Sequence, residues 1–218
     1  MERPTAFVVY LLVAMTATAG AGAAQIRRLP PADEAARCPG FVAFRTTLQQ
    51  IIMRKDSAAL LEIVDPNIRV SFGDVQGREG FRAMWLTEPA RQGDVWVELG
   101  KVLDLGGRCT DANSFVAPYV FSDWPDDLDA FEYAAITGSR VRMRQAPRET
   151  APVIAFLTYA LVRAKGLGDR ESAWVSVEAP DGRKGFVSRQ YVRSPVGWRA
   201  FFSRKDGVWR LVTFVAGD

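Results

Sequence analysis

Residues 138–157 read "GSRVRMRQAPRETAPVIAFL". Arg140, Arg142 and Arg144 alternate with Val141 and Met143, and a second apolar run opens after Pro152. Apolar and polar residues in strict alternation mark a strand with one face inward and one outward. The glycine and prolines around the two runs are turn residues. The stretch therefore predicts two short strands of a small β unit. Its arginines either face water on the outer side of the first strand or form a strip for an anionic partner. Alternation alone leaves both readings open.

Further short runs follow. Apolar segments at 140–144, 152–163, 173–178, 184–187 and 191–193 are separated by Gly, Pro and Asp turns. Strands at that spacing predict a small barrel. Val141, Met143, Val153, Ile154, Leu157, Trp174, Val177, Val187 and Val192 are its candidate core, and Gly182 and Gly185 supply tight turns. Two stretches together, "VRMRQAPRETAPVIAFL" at 141–157 and "AWVSVEAPDGRKGFVSRQYV" at 173–192, resemble bacterial SH3 domains. The resemblance spans residues 135–193, with Phe186 where a tryptophan is usual. It implies an SH3-like β-barrel that binds a peptide, a cell-wall fragment or an envelope protein. The candidate ligand-binding residues are Arg140, Arg142, Arg144, Trp174, Phe186 and Tyr191. Trp174 is equally a candidate for the core.

The segment before this unit reads as α+β. "FVAFRTTLQQIIMRKD" places Phe41, Phe44, Leu48, Ile51 and Ile52 at helical spacing, and "DSAALLEIVD" is a second, shorter helix. "NIRVSFG" predicts a strand with Ile68, Val70 and Phe72 inward, and "DVWVELGKVLDLGG" a helix ended by Gly106 and Gly107. After the barrel, "WRAFFSRKDGVWRLVTFVAG" predicts a hairpin turning at Asp206-Gly207. The helices, the strand and this hairpin weakly resemble the cone-shaped folds of the nuclear-transport-factor and cystatin superfamilies. That resemblance implies a barrel inserted into the α+β domain, with the hairpin returning to the strand at 68–72. A barrel with an independent C-terminal extension is the alternative. The expected order is a signal peptide at 1–24, an arm or linker at 25–40, an α+β domain at 41–134, the barrel at 135–193 and the hairpin at 194–218.

The first residues, "MERPTAFVVYLLVAMTATAGAGAAQ", have the layout of a secretory signal, with cleavage after Ala23 or Ala24. An uncleaved anchor is the alternative. Export places the protein in the periplasm or outside the cell, without stable membrane insertion after cleavage. In that compartment two cysteines, Cys38 and Cys109, predict one disulfide. Two buried free thiols are the other reading. The charge is split along the chain. Residues 25–134 carry 12 basic and 17 acidic side chains, and residues 135–218 carry 15 and 7, so −5 faces +8 within a total of +3. Such a split serves an anionic partner or mutual attraction of the two parts.

The chain has no histidine. That excludes Ser-His-Asp and Cys-His catalysis and most zinc sites. No glycine-rich phosphate loop occurs. The acidic stretch "SDWPDDLDAFEY", with Asp123, Asp126, Asp127, Asp129 and Glu132, admits a hard cation or acid–base work. It lacks a calcium-loop pattern and reads more simply as a loop whose aspartates cap a turn. The sequence thus predicts a non-enzymatic exported binding protein with no catalytic residue, metal or cofactor, and without a nucleic-acid partner. The alternative is an enzyme or small-molecule binder with a pocket near Phe72, Trp85 and the acidic loop.

Overall fold

The computed structural model describes residues 27–87, 93–169 and 172–217. The expected signal peptide and its cleavage point lie outside the described residues. The architecture is α+β, with two sheets. Helices α1 (Phe41–Arg54) and α2 (Ser57–Ile63) lead into strand β1 (Val64–Arg69). Helices α3 (Gly77–Trp85) and α4 (Val95–Asp104) follow, then β2 (Arg108–Asp111), β3 (Ser114–Ala117) and the short α5 (Tyr119–Ser122). Asp56 caps α2 through Ala59 N–H, and Asp94 caps α4 through Trp96 N–H.

A second group of strands then intervenes: β4 (Tyr133–Ile136), β5 (Val141–Arg144), β6 (Val153–Leu157), β7 (Leu161–Lys165), β8 (Trp174–Glu178), β9 (Lys184–Ser188) and β10 (Val192–Arg193). The chain closes with β11 (Arg199–Lys205) and β12 (Val208–Val215). The hairpin turns as its sequence predicts, with Asp206 at φ 51° and Gly207 at φ 80°. Two successive positive φ values are what a tight Asp-Gly hairpin turn requires.

The hairpin returns to the first part of the chain. The five-stranded sheet has the order β1-β12-β11-β3-β2, so β11 and β12 occupy its interior. β12 runs parallel to β1, with Val64 beside Leu211, and β11 runs antiparallel to β3, with Phe202 beside Phe115. Intervening strands β4 to β10 form the other sheet. The pairing strand is Val64–Arg69 rather than 68–72, and Pro66 lies within it. Proline is tolerated there because β1 is an edge strand. Ile68 and Val70 are buried as expected, but Phe72 lies past the strand end and is 45% exposed.

One face of this sheet packs on the helices. Phe41 of α1 stacks on Phe115 at a centroid distance of 4.0 Å and meets Phe202 and Trp209 edge-on. Trp85 of α3 packs on Trp198 at 4.7 Å and on Phe214 at 5.0 Å. The Trp209 indole N–H donates to the Pro39 carbonyl at 3.0 Å, tying the hairpin to the start of α1. Gly107 approaches β3 so closely that a Cβ there would lie 2.1 Å from the Val116 carbonyl oxygen.

The second sheet has seven strands in the order β10-β4-β7-β8-β9-β5-β6. Its end strands are not paired with each other, so the expected closed barrel is a curled open sheet. It has its own core, including Met143, Leu157, Val162, Val175, Val177 and Val187. Of the other expected core members, Ile154 and Val192 are half-buried and pack against this core, Val153 is 39% exposed, and Trp174 points outward. A register shift between Met143 and Arg144 in the β5–β6 pairing accounts for Val153, since a one-residue slip exchanges the faces. The run at 152–163 is two strands, separated by a turn with Tyr159 at φ 49°.

The expected arm or linker is an ordered strap from residue 27 onward. Leu29 N–H donates to the Tyr159 carbonyl and Leu161 N–H to the Arg27 carbonyl, on the second sheet. A few residues on, Glu34 N–H donates to the Gly107 carbonyl, beside the first sheet. Leu29 also joins Tyr119, Val120, Ala135 and Leu161 in a small apolar cluster at the junction. Cys38 and Cys109 form a disulfide, with Cα atoms 5.6 Å apart. Among the described residues no helix is long and apolar enough to cross a membrane.

Candidate functional site

Cross-strand register decides which side chains share a face. On β8 and β9 the buried residues are Val175, Val177, Gly185 and Val187, so Trp174, Ser176, Phe186 and Ser188 point outward. Lys165 pairs with Ser176, Ser176 with Phe186, and Phe186 with Arg144. These residues form one row across β7, β8, β9 and β5. Trp174 is diagonal to Phe186, through its partner Ser188. Arg142, two residues before Arg144, pairs with Phe156 on the edge strand β6. Phe156 is 53% exposed, and the Arg140 guanidinium lies 4.9 Å from its ring centroid.

Four of the sequence candidates, Arg142, Arg144, Trp174 and Phe186, therefore meet on one outer face. Arg140 joins only through Phe156. It precedes β5, in the left-handed region at φ 51°, and its N–H donates to Thr158 Oγ1 at 2.9 Å. Arg144 is half-buried and donates to the Ala151 carbonyl at 2.8 Å, which holds the turn between β5 and β6. Trp174 lies on this face and not in the core. Tyr191 is 41% exposed in the short turn before β10, beside Gly138, away from the paired rows. Phe156 and Lys165 were not candidates from sequence. The alternation in "LVRAK" and "VIAFL" marks both as outward, but only the register brings them together.

The face is basic. Lys165, Arg142 and Arg144 accompany Phe186 and Trp174, and the neighbouring row pairs Arg163 with Glu178 and Glu178 with Lys184. Lys184 and Glu178 form a loose ion pair at 3.6 Å. Arg163 is engaged by the Tyr133 hydroxyl at 2.9 Å, which together with Glu132 raises its pKa.

Four of the five carboxylates of the acidic stretch are engaged locally, Asp126 excepted. Asp123 pairs with Arg108 at 2.9 Å, and Glu132 with Arg163 at 3.3 Å. Asp129 accepts the Phe131 N–H as a turn cap. Asp127 holds Arg27 of the strap through both carboxylate oxygens, and that hydrogen bonding lowers its pKa. These carboxylates do not meet Arg140, Arg142 or Arg144. Among the described residues no group of three or more His, Cys, Asp or Glu side chains is placed to hold a metal.

Phe72 and Trp85, expected beside an alternative pocket, do not come together. Trp85 is buried among Trp198 and Phe214, while Phe72 lies against Arg69 and Arg199 on the side of the sheet away from the helices. A cavity of about 960 Å3 opens between α4 and the inserted sheet. Comparison of the chain with family models, with curated proteins and with solved structures finds no match.

Proposed function

We propose that the protein is an exported, non-enzymatic binding protein whose inserted sheet is an SH3-like module. It recognises a peptide, cell-wall fragment or envelope protein bearing acidic groups. The row Lys165, Ser176, Phe186, Arg144, flanked by Trp174, Arg142 and Phe156, carries this reading. Aromatic side chains supply contact area at low entropic cost, and the basic groups around them favour an anionic ligand. Edge strand β6 beside this face offers an extended ligand a place to align.

The test is capture of purified peptidoglycan and envelope-protein fractions by the full mature chain, at low and at physiological salt. Screening extends over about 8 Å at physiological ionic strength, so binding through exposed charges weakens as salt rises. Capture that falls with salt and is lost in the R142Q/K165Q variant supports the reading. Absent capture, or equal capture by the variant, overturns it.

Export rests on the character of residues 1–24, and the disulfide is compatible with it. Intact-mass analysis of the exported protein is expected to show a start at Ala24 or Gln25. A full-length mass overturns cleavage.

A further inference from the structure

The cleft between α4 and the inserted sheet has two unlike walls. One is the face of α4 bearing Glu98, Lys101 and Asp104 at successive turns. The other belongs to the inserted unit and bears Arg189 and Arg193. Leu105, Leu167, Val192 and Trp198 give it apolar surface. Carboxylates therefore outnumber the ammonium on the helix wall, and guanidiniums stand on the facing one.

Most of these charges have a structural task. Glu98 holds Lys101 at 3.0 Å. Arg189 donates to the carbonyls of Gly166, Leu167 and Ser172 and keeps its charge, and Arg193 donates to that of Trp198, so both shape the wall. Asp104 differs. It is exposed and is the last residue of α4, where the negative end of the helix dipole disfavours a carboxylate. Among the described residues no hydrogen bond or ion pair compensates it. Its carboxylate stands at the cavity wall, and borders a smaller neighbouring cavity as well.

We infer that the cleft binds a short zwitterionic peptide. Its ammonium is held by Asp104, its carboxylate lies toward Arg189, and its apolar side chains contact Leu105, Leu167 and Val192. A volume of about 960 Å3 suits a ligand of a few residues, being within the range of small-molecule sites. Oppositely charged walls select a ligand charged at both ends. The site is separate from the outer face of the inserted sheet and does not rest on that reading.

The test uses the full mature, oxidised chain and calorimetric titration with trileucine, N-acetyl-trileucine and trileucine amide. Trileucine is expected to saturate below about 1 mM, with each end-blocked form at least about tenfold weaker. The Asp104→Asn variant is expected to bind trileucine at least about tenfold more weakly, with its affinity for N-acetyl-trileucine unchanged. It is also expected to melt slightly higher, because the unfavourable charge at the helix end is removed. The higher melting point separates lost recognition from lost folding. Absence of saturable trileucine binding overturns the inference, as does equal affinity for the blocked forms or an unchanged trileucine affinity in the variant.

Discussion

Arg144 shows how one side chain divides between fold and function. Its alternation with Met143 places it outward, but its guanidinium is spent on the Ala151 carbonyl. Replacing Arg140 and Arg142 by Gln is expected to leave stability within about 0.5 kcal/mol, as for ordinary surface positions. Arg144→Gln is expected to cost about 1–2 kcal/mol, since it removes a charged donor from a part-buried carbonyl. Urea denaturation of the variants checks this, and equal stability of all three sets aside the structural role of Arg144. Tyr119 is a second informative residue. It is fully buried at the junction, its hydroxyl makes no hydrogen bond, and burial pushes its pKa up to about 12. The unfolded chain releases this proton near pH 10, the folded chain only near 12. The contribution to stability is therefore complete below pH 10 and is lost as pH rises through that window. Its size is on the order of 2 kcal/mol. Tyr119→Phe is expected to be at least as stable as the parent at pH 8 and to lose less stability by pH 11.5. A parallel fall in both proteins refutes the assignment.

Among the elements, the terminal hairpin matters most. β11 and β12 lie between β1 and β3, and Phe202, Trp209, Leu211 and Phe214 fill the core under the helices. The inserted sheet's core includes no hairpin residue. A chain stopped after Ser194 is therefore expected to lose hydrogen-exchange protection in α1, β1 and β3 while β5, β8 and β9 stay protected. Unchanged protection in α1 contradicts this dependence. The strap is held at its end by the Cys38–Cys109 disulfide, which links residues 71 apart in sequence. Closing such a loop stabilises a fold by about 4 kcal/mol in the chain-entropy model. Reduction is expected to lower the urea midpoint accordingly, and an unchanged midpoint shows that packing alone holds the strap.

For the whole molecule, the charge split of −5 and +8 does not act through Arg140, Arg142 or Arg144 docking on the acidic stretch. Asp127 is occupied by Arg27, Asp123 by Arg108 and Glu132 by Arg163. Small-angle scattering of the R140Q/R142Q protein is thus expected to show unchanged dimensions, and expansion contradicts the arrangement. Local patterning in the chain was sufficient for the α+β class, the helices α1 and α4, the Asp-Gly turn and the alternation of β5. Each is set by contacts among residues near in sequence, through helical spacing, capping or the two-residue repeat. The parallel contact of Val64 with Leu211 and the row from Lys165 to Arg144 have no local signal. Nor does the cleft facing α4. Register, bulges and the approach of distant walls are chosen by how all the elements pack together, and tertiary structure alone decides them.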